Sequence, residues 1–154
     1  MDHPTANLEL EPGDLSVDDS DRLLHAVADV LIQLDRDVDR VAISVIGDDR
    51  MSHLHGRWKQ KETTTDVVTF DLSDSREAAL RVDIAICLDE AVRQADARGH
   101  EPVDELLLYI VHGLLHCCGF DDTDEASSIM MHREEDRLLR QIGWGAVYET
   151  GDDS

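Results

Sequence analysis

Apolar residues recur along this chain at two spacings, and the switches between them mark its elements. Leu8 and Leu10 alternate with polar neighbours from Ala6 to Glu11 before Pro12 and Gly13 break the pattern, which predicts a short strand. From Ser20, read as an N-cap, Leu23, Leu24, Val27, Val30, Leu31 and Leu34 follow at helical spacing and predict an amphipathic helix ending near DRDVDR. Val41 to Ile46 is a β-branched run closed by Gly47, as a central strand requires. Residues 48–62 are mixed, with Met51, Leu54 and Trp58 fitting a helix turn inside a loop. Thr63–Leu72 and Arg81–Leu88 alternate again as strands, and Asp89 is placed to cap a helix through Ala91, Val92 and Ala95 that Gly99 stops. A strongly apolar helix begins at Val103, and Ala126–Ile142 forms a last amphipathic helix ended by Gly143. With strands early, helices late and no repeat, the expected fold is α+β: a small mixed sheet of about four strands with helices packed on it and the most apolar helix at the centre. The length of 154 residues suits one domain over 1–154, with 1–5 and 146–154 frayed.

The central helix also carries the chain's most specific chemistry, in the run VDELLLYIVHGLLHCCGFDD from Val103 to Asp122. His112 and His116 are four residues apart, so on a helix both imidazoles leave one face a turn apart and form a two-point chelate. Gly119 falls where a helix end with positive φ is expected, so the chain can turn back and bring Asp121 or Asp122 to the pair. Two nitrogens and a carboxylate, with room for water, match a catalytic divalent ion better than a closed structural site. The alternative is a pair of hydrogen-bonded core histidines, with Asp122 and Glu125 serving as N-cap and capping-box partner of the next helix. A peptidase of the HExxH kind would need a glutamate beside the first histidine, and that position is Gly113.

Charge narrows the partners. Fourteen basic against 35 acidic residues give −21, a poor footing for binding phosphates, so the placement of the cations matters more than their number. The only lysines, Lys59 and Lys61, lie with Arg57 and Trp58 in HGRWKQK, which reads either as a solvated loop or as the approach to a site. Cys87, Cys117 and Cys118 are odd in number and sit in apolar runs, so they read as reduced core residues. No run of about eighteen apolar residues occurs, and the acidic N-terminus lacks a signal-peptide pattern; a cytoplasmic protein without a membrane partner is expected.

HGLLHCCGFDD resembles the signature HGxLHLxGYDH of the YbeY family, bacterial metal-dependent single-strand endoribonucleases of ribosomal RNA maturation. LHGRWKQKETTTDVVTF is similar to the family segment LNxxYRxKDKPTDVLSF, VDIAIC to its GDIVIS strand, and DEASSIMMHREEDRLL to the helix after its metal motif. The resemblance implies a hydrolase of RNA phosphodiester bonds acting in small-subunit ribosomal RNA 3′ maturation and ribosome quality control, with single-stranded RNA, ribosomal RNA and ribosomal proteins as partners. The family's third metal histidine falls on Asp122, so the implied ligands are His112, His116 and Asp122. One Zn²⁺ is implied, and the shorter anionic Asp122 leaves Mn²⁺ or Fe²⁺ open. The family's arginine falls on Lys59, which keeps the charge without the planar fork. Asp121 or Asp83 is the available general base, Asp83 being equally suited to orient a metal-bound imidazole. His53, His55, His100 and His132 read as surface histidines. Two rivals stand beside this reading: a zincin-like hydrolase of other substrates, and a non-catalytic ribosome-assembly factor with a structural metal.

Overall fold

The computed structural model describes residues 7–34, 36–59, 66–75, 77–120 and 123–144, without the side chains of 55–59. Period-two segments form strands β1 (Asn7–Glu11), β2 (Val38–Ile46), β3 (Val67–Asp71) and β4 (Leu80–Cys87). They make one mixed sheet in the order β1-β2-β4-β3, in which β1, β2 and β4 run parallel and β3 is antiparallel to β4. The helices are α1 (Val17–Gln33), α2 (Asp48–Lys59), α3 (Leu88–Arg98), α4 (Pro102–Cys117) and α5 (Glu125–Gln141). This is the expected α+β architecture.

Strand alternation assigns the two faces of the sheet to different helices. Val41, Ile43 and Val45 of β2 and Val82, Ile84 and Ile86 of β4 pack with Leu23, Val27 and Val30 of α1 and Leu106, Leu107, Ile110 and Leu114 of α4. Their neighbours Ile46, Val68, Ala85 and Cys87 turn to the other face and meet Met51 of α2. Helix α4 is apolar nearly all round and buried accordingly, from Val103 through Leu115, with only half-buried positions such as His112 interrupting. Each of its fully buried leucines contributes roughly 1.5–3 kcal/mol by leaving water.

Three local expectations change. The first helix begins a turn earlier than Ser20: Ser16 is the N-cap and accepts from the Asp19 amide at 3.1 Å, while Ser20 is buried on the inner face. Val17 is exposed and outside the apolar stripe, so periodicity alone starts the helix too late. Residues 48–59 form a full helix rather than a turn within a loop, because Met51 anchors it on the sheet. Asp89 does not cap its own helix; its Oδ2 accepts from the Asp48 amide at 2.8 Å and thereby caps α2 across the sheet edge.

Candidate metal centre

The last two turns of α4 set His112 and His116 edge to face, with ring centroids 4.6 Å apart and planes at 84°. Their Nε2 atoms converge to 3.1 Å. His112 Nδ1 lies 2.7 Å from Oε2 of Glu135, a carboxylate with no solvent exposure. A carboxylate only accepts, so Nδ1 is the protonated nitrogen and the Nε2 lone pair is aimed toward His116. Two imidazoles on one tetrahedral ion at about 2.0–2.1 Å hold their nitrogens about 3.3 Å apart. The observed spacing is within a small rotamer adjustment of that. The donor set therefore fits a divalent ion, with His112 half-buried and His116 exposed to the approach.

The chain beyond His116 turns as its glycine predicts. Gly119 has φ 100°, its amide donates to the His116 carbonyl at 3.2 Å, and the Phe120 amide donates to the Leu115 carbonyl at 3.0 Å. These crossed bonds close a helix end in which one residue takes the left-handed conformation. Asp121 and Asp122 lie outside the described residues, as does the side chain of Lys59 at the end of α2. The capping expectation for Asp122 and Glu125 is corrected: the N-cap of α5 is Asp124, whose Oδ1 accepts from the Ser127 amide at 2.8 Å. With that role filled, Asp122 is not needed to start α5.

Asp83 is not brought to the pair. It projects from β4 on the face opposite α4 and ion-pairs with Arg40 at 3.6 Å, while its neighbours Val82 and Ile84 point toward the helices. A one-residue step along a strand reverses the face, which excludes it from orienting His112. Two residues that pattern reading overlooked are closer. Asp66, just before β3, has its carboxyl raised above the ordinary range by burial, an effect that His112 opposes when its ring is protonated. Glu135 bonds His112 and also receives His132 Nδ1 at 3.3 Å, so His132 belongs to the wall of the site rather than to the bare surface. A signal for Glu135 was present: with Met131, Leu138 and Leu139 it occupies the buried stripe of α5, where an acidic residue is out of place without a partner. His100, also read as a surface histidine, is mostly buried against Glu105.

Gly113 lies between the two histidines, against β3. A Cβ there would come within 2.5 Å of Thr69 Oγ1, so α4 approaches the strand closely only because this position has no side chain. A side chain there would force Thr69 or the helix to give way. A second group of potential ligands, Asp48, Cys87 and Asp89, has its donor atoms within 4.8 Å of one another. Protein groups already account for it. Both Asp48 oxygens are held by Arg93 at 2.8 Å, the Cys87 thiol donates to Asp48, and Asp89 is the α2 cap. Burial pushes the Cys87 thiol up to about 11, away from the thiolate a metal needs.

The family model described as Endoribonuclease YbeY matches residues 10–143, which include both histidines, Glu135 and every strand but the start of β1. The chain belongs to the YbeY endoribonuclease family. Similar YbeY endoribonucleases include one from Anaeromyxobacter dehalogenans, 36% identical over 84% of this chain and 68% of that protein. Another, from Carboxydothermus hydrogenoformans, is 31% identical over 67% of this chain and 72% of its own length. The solution structure of TM1509 from Thermotoga maritima shares the fold, with TM-score 0.63 and 19% identity over 90% of this chain and 89% of that one. Membership of the YbeY family agrees with the absence of a peptidase glutamate at Gly113. Among the described residues, no helix is long and apolar enough to cross a membrane.

Proposed function

We propose that His112 and His116, completed by Asp122, hold one divalent ion, and that this centre is where the chain cuts single-stranded RNA in the maturation of ribosomal RNA. As a member of its family the chain is an endoribonuclease, a hydrolase of RNA phosphodiester bonds. The observation that carries the assignment of the centre is the convergence of the two Nε2 atoms at 3.1 Å with the opposite nitrogen of His112 committed to Glu135. Zinc is the first choice of ion, with Mn²⁺ or Fe²⁺ open through the carboxylate ligand. A bound divalent ion supplies Lewis acidity at the phosphate and a more acidic water. Glu135 keeps the His112 ring oriented, Lys59 offsets charge developing on the scissile phosphate, and Asp121 accepts the proton of the attacking water. Asp83 has no part in this scheme. The small residue at 113 lets α4 pack closely on Thr69 and Val67 of β3, beneath the two histidines' turn. The setting is the cytoplasm, with ribosomal RNA and ribosomal proteins as partners.

The test is metal analysis of protein purified without chelator, alongside the Asp122→Ala variant and cleavage of a single-stranded RNA panel. One ion per chain, lost in Asp122→Ala together with cleavage, is the expected result. His112→Ala and His116→Ala should likewise abolish metal binding, and full occupancy in either would sink the centre. Chelation separates catalysis from a structural role: activity lost at an unchanged thermal midpoint marks a catalytic ion, and a large fall in midpoint marks a structural one.

A further inference from the structure

Glu135 is the only carboxylate besides Glu105 that is fully buried among the described residues, and its placement is specific. It comes from α5, twenty-three residues beyond His112, and its two oxygens receive two different imidazoles: His112 Nδ1 on Oε2 at 2.7 Å and His132 Nδ1 on Oε1 at 3.3 Å. A buried carboxylate is costly unless it is bonded through both oxygens, and here both bonds come from histidine rings. Its neighbours on the stripe, Met131, Leu138 and Leu139, are apolar and buried, so an apolar residue at 135 would satisfy packing equally well. What an apolar residue would not do is choose a nitrogen of His112. Without an acceptor at Nδ1, a neutral imidazole is free to carry its proton on Nε2, the nitrogen that faces His116.

We infer that Glu135 is a positioning residue for the metal centre: it fixes the Nδ1–H tautomer and the ring plane of His112, so that Nε2 is presented as a ligand before any ion arrives. This rests on the reading of His112 and His116 as ligands and deepens it. Carboxylate-to-histidine bonds behind a ligand typically change metal affinity by about 10–100-fold. The cost of burying the charge is thus set against preorganisation of the centre, not against stability of the fold.

The experiment compares Glu135→Gln and Glu135→Met with the parent, using Zn²⁺ alone as the probe in a chelator-competition titration. Imidazole ¹⁵N spectra of the metal-free proteins report the His112 tautomer, and urea unfolding reports stability. Expected is an Nδ1–H tautomer in the parent, a mixture in Glu135→Met, and zinc affinity lower by about tenfold in Gln and up to about a hundredfold in Met. In the Gln variant zinc affinity falls at an unchanged metal-free midpoint, a result that a merely structural carboxylate would not give. Parent-like zinc affinity and tautomer in both variants overturn the positioning role while leaving the centre standing. A parent that binds none of Zn²⁺, Mn²⁺ and Fe²⁺ overturns the centre and this inference together. Should the Met variant fail to fold, Glu135→Ala takes its place, and parent-like affinity and tautomer there are the overturning result.

Discussion

Gly113 shows how one missing atom group serves both fold and chemistry. Its hydrogen faces Thr69 Oγ1 at a distance no Cβ could occupy, and the same position would carry the general base of a zincin peptidase. Packing and reaction class are therefore decided together. Gly113→Ala is expected to lower stability by about 1–3 kcal/mol through overpacking, despite the better helix propensity of alanine. In the double variant with Thr69→Ala the clash is gone and most of the loss should be recovered. Urea titrations of the four proteins measure this coupling, and additive effects would show that the helix gives way elsewhere. Glu135 teaches the complementary point. A charged residue on an apolar stripe is legible in sequence as an anomaly, but its partner is twenty-three positions away and only the fold names it.

At the scale of elements, the end of α4 is held from two sides. Internally Gly119 closes it with crossed backbone bonds. Externally Arg36, in the segment between α1 and β2, donates to the carbonyls of Cys117 at 2.9 Å, Ala78 at 2.9 Å and Ser75 at 3.0 Å. One planar guanidinium thus ties the helix end to the turn before β4, and its charge complements the negative pole of α4. Arg36→Ala should cost about 1–3 kcal/mol, and Arg36→Lys should recover little of it, because an ammonium cannot span three carbonyls. Restoration of the parent midpoint by lysine would reduce the role to charge alone. The start of α5 gives a second contrast. Asp124→Ala should lose about 1 kcal/mol of cap stability with metal binding retained. Asp122→Asn should leave the metal-free protein unchanged while weakening metal binding at least about tenfold, since an amide lacks the ligand's charge. Equal metal affinity in Asp122→Asn would move the third ligand to Asp121.

The whole molecule combines a charge of −21 with buried and half-buried groups that resist ionisation. Burial raises Cys87 from 9.0 to about 11 and Cys117 from 9.0 to about 12, and it raises Tyr109 as well. Each folded value lies above the unfolded one, so the contribution to stability is complete below about pH 9 and is lost as pH climbs toward 11–12. The urea midpoint should be level between about pH 7 and 8.5 and fall beyond 9, with a shallower fall in Cys87→Ala; a parallel fall would exclude Cys87 as a source. Much of this architecture is set locally. Periodicity distinguishes strands from helices, the all-apolar run from Val103 must be the central helix, and His112, His116 and Gly119 fix a converging histidine pair followed by a turn, because these depend on spacings of a few residues. The tertiary structure decided what depends on long-range pairing. The docking of α4 on the Val82 and Ile84 face of β4 left Asp83 on the side away from the histidines, α5 delivered Glu135 to His112, Asp89 capped a neighbour's helix instead of its own, and Asp124 took the cap that Asp122 could have filled. A side chain's partner across the fold is set by how the layers stack and register, and no window along the chain contains that information.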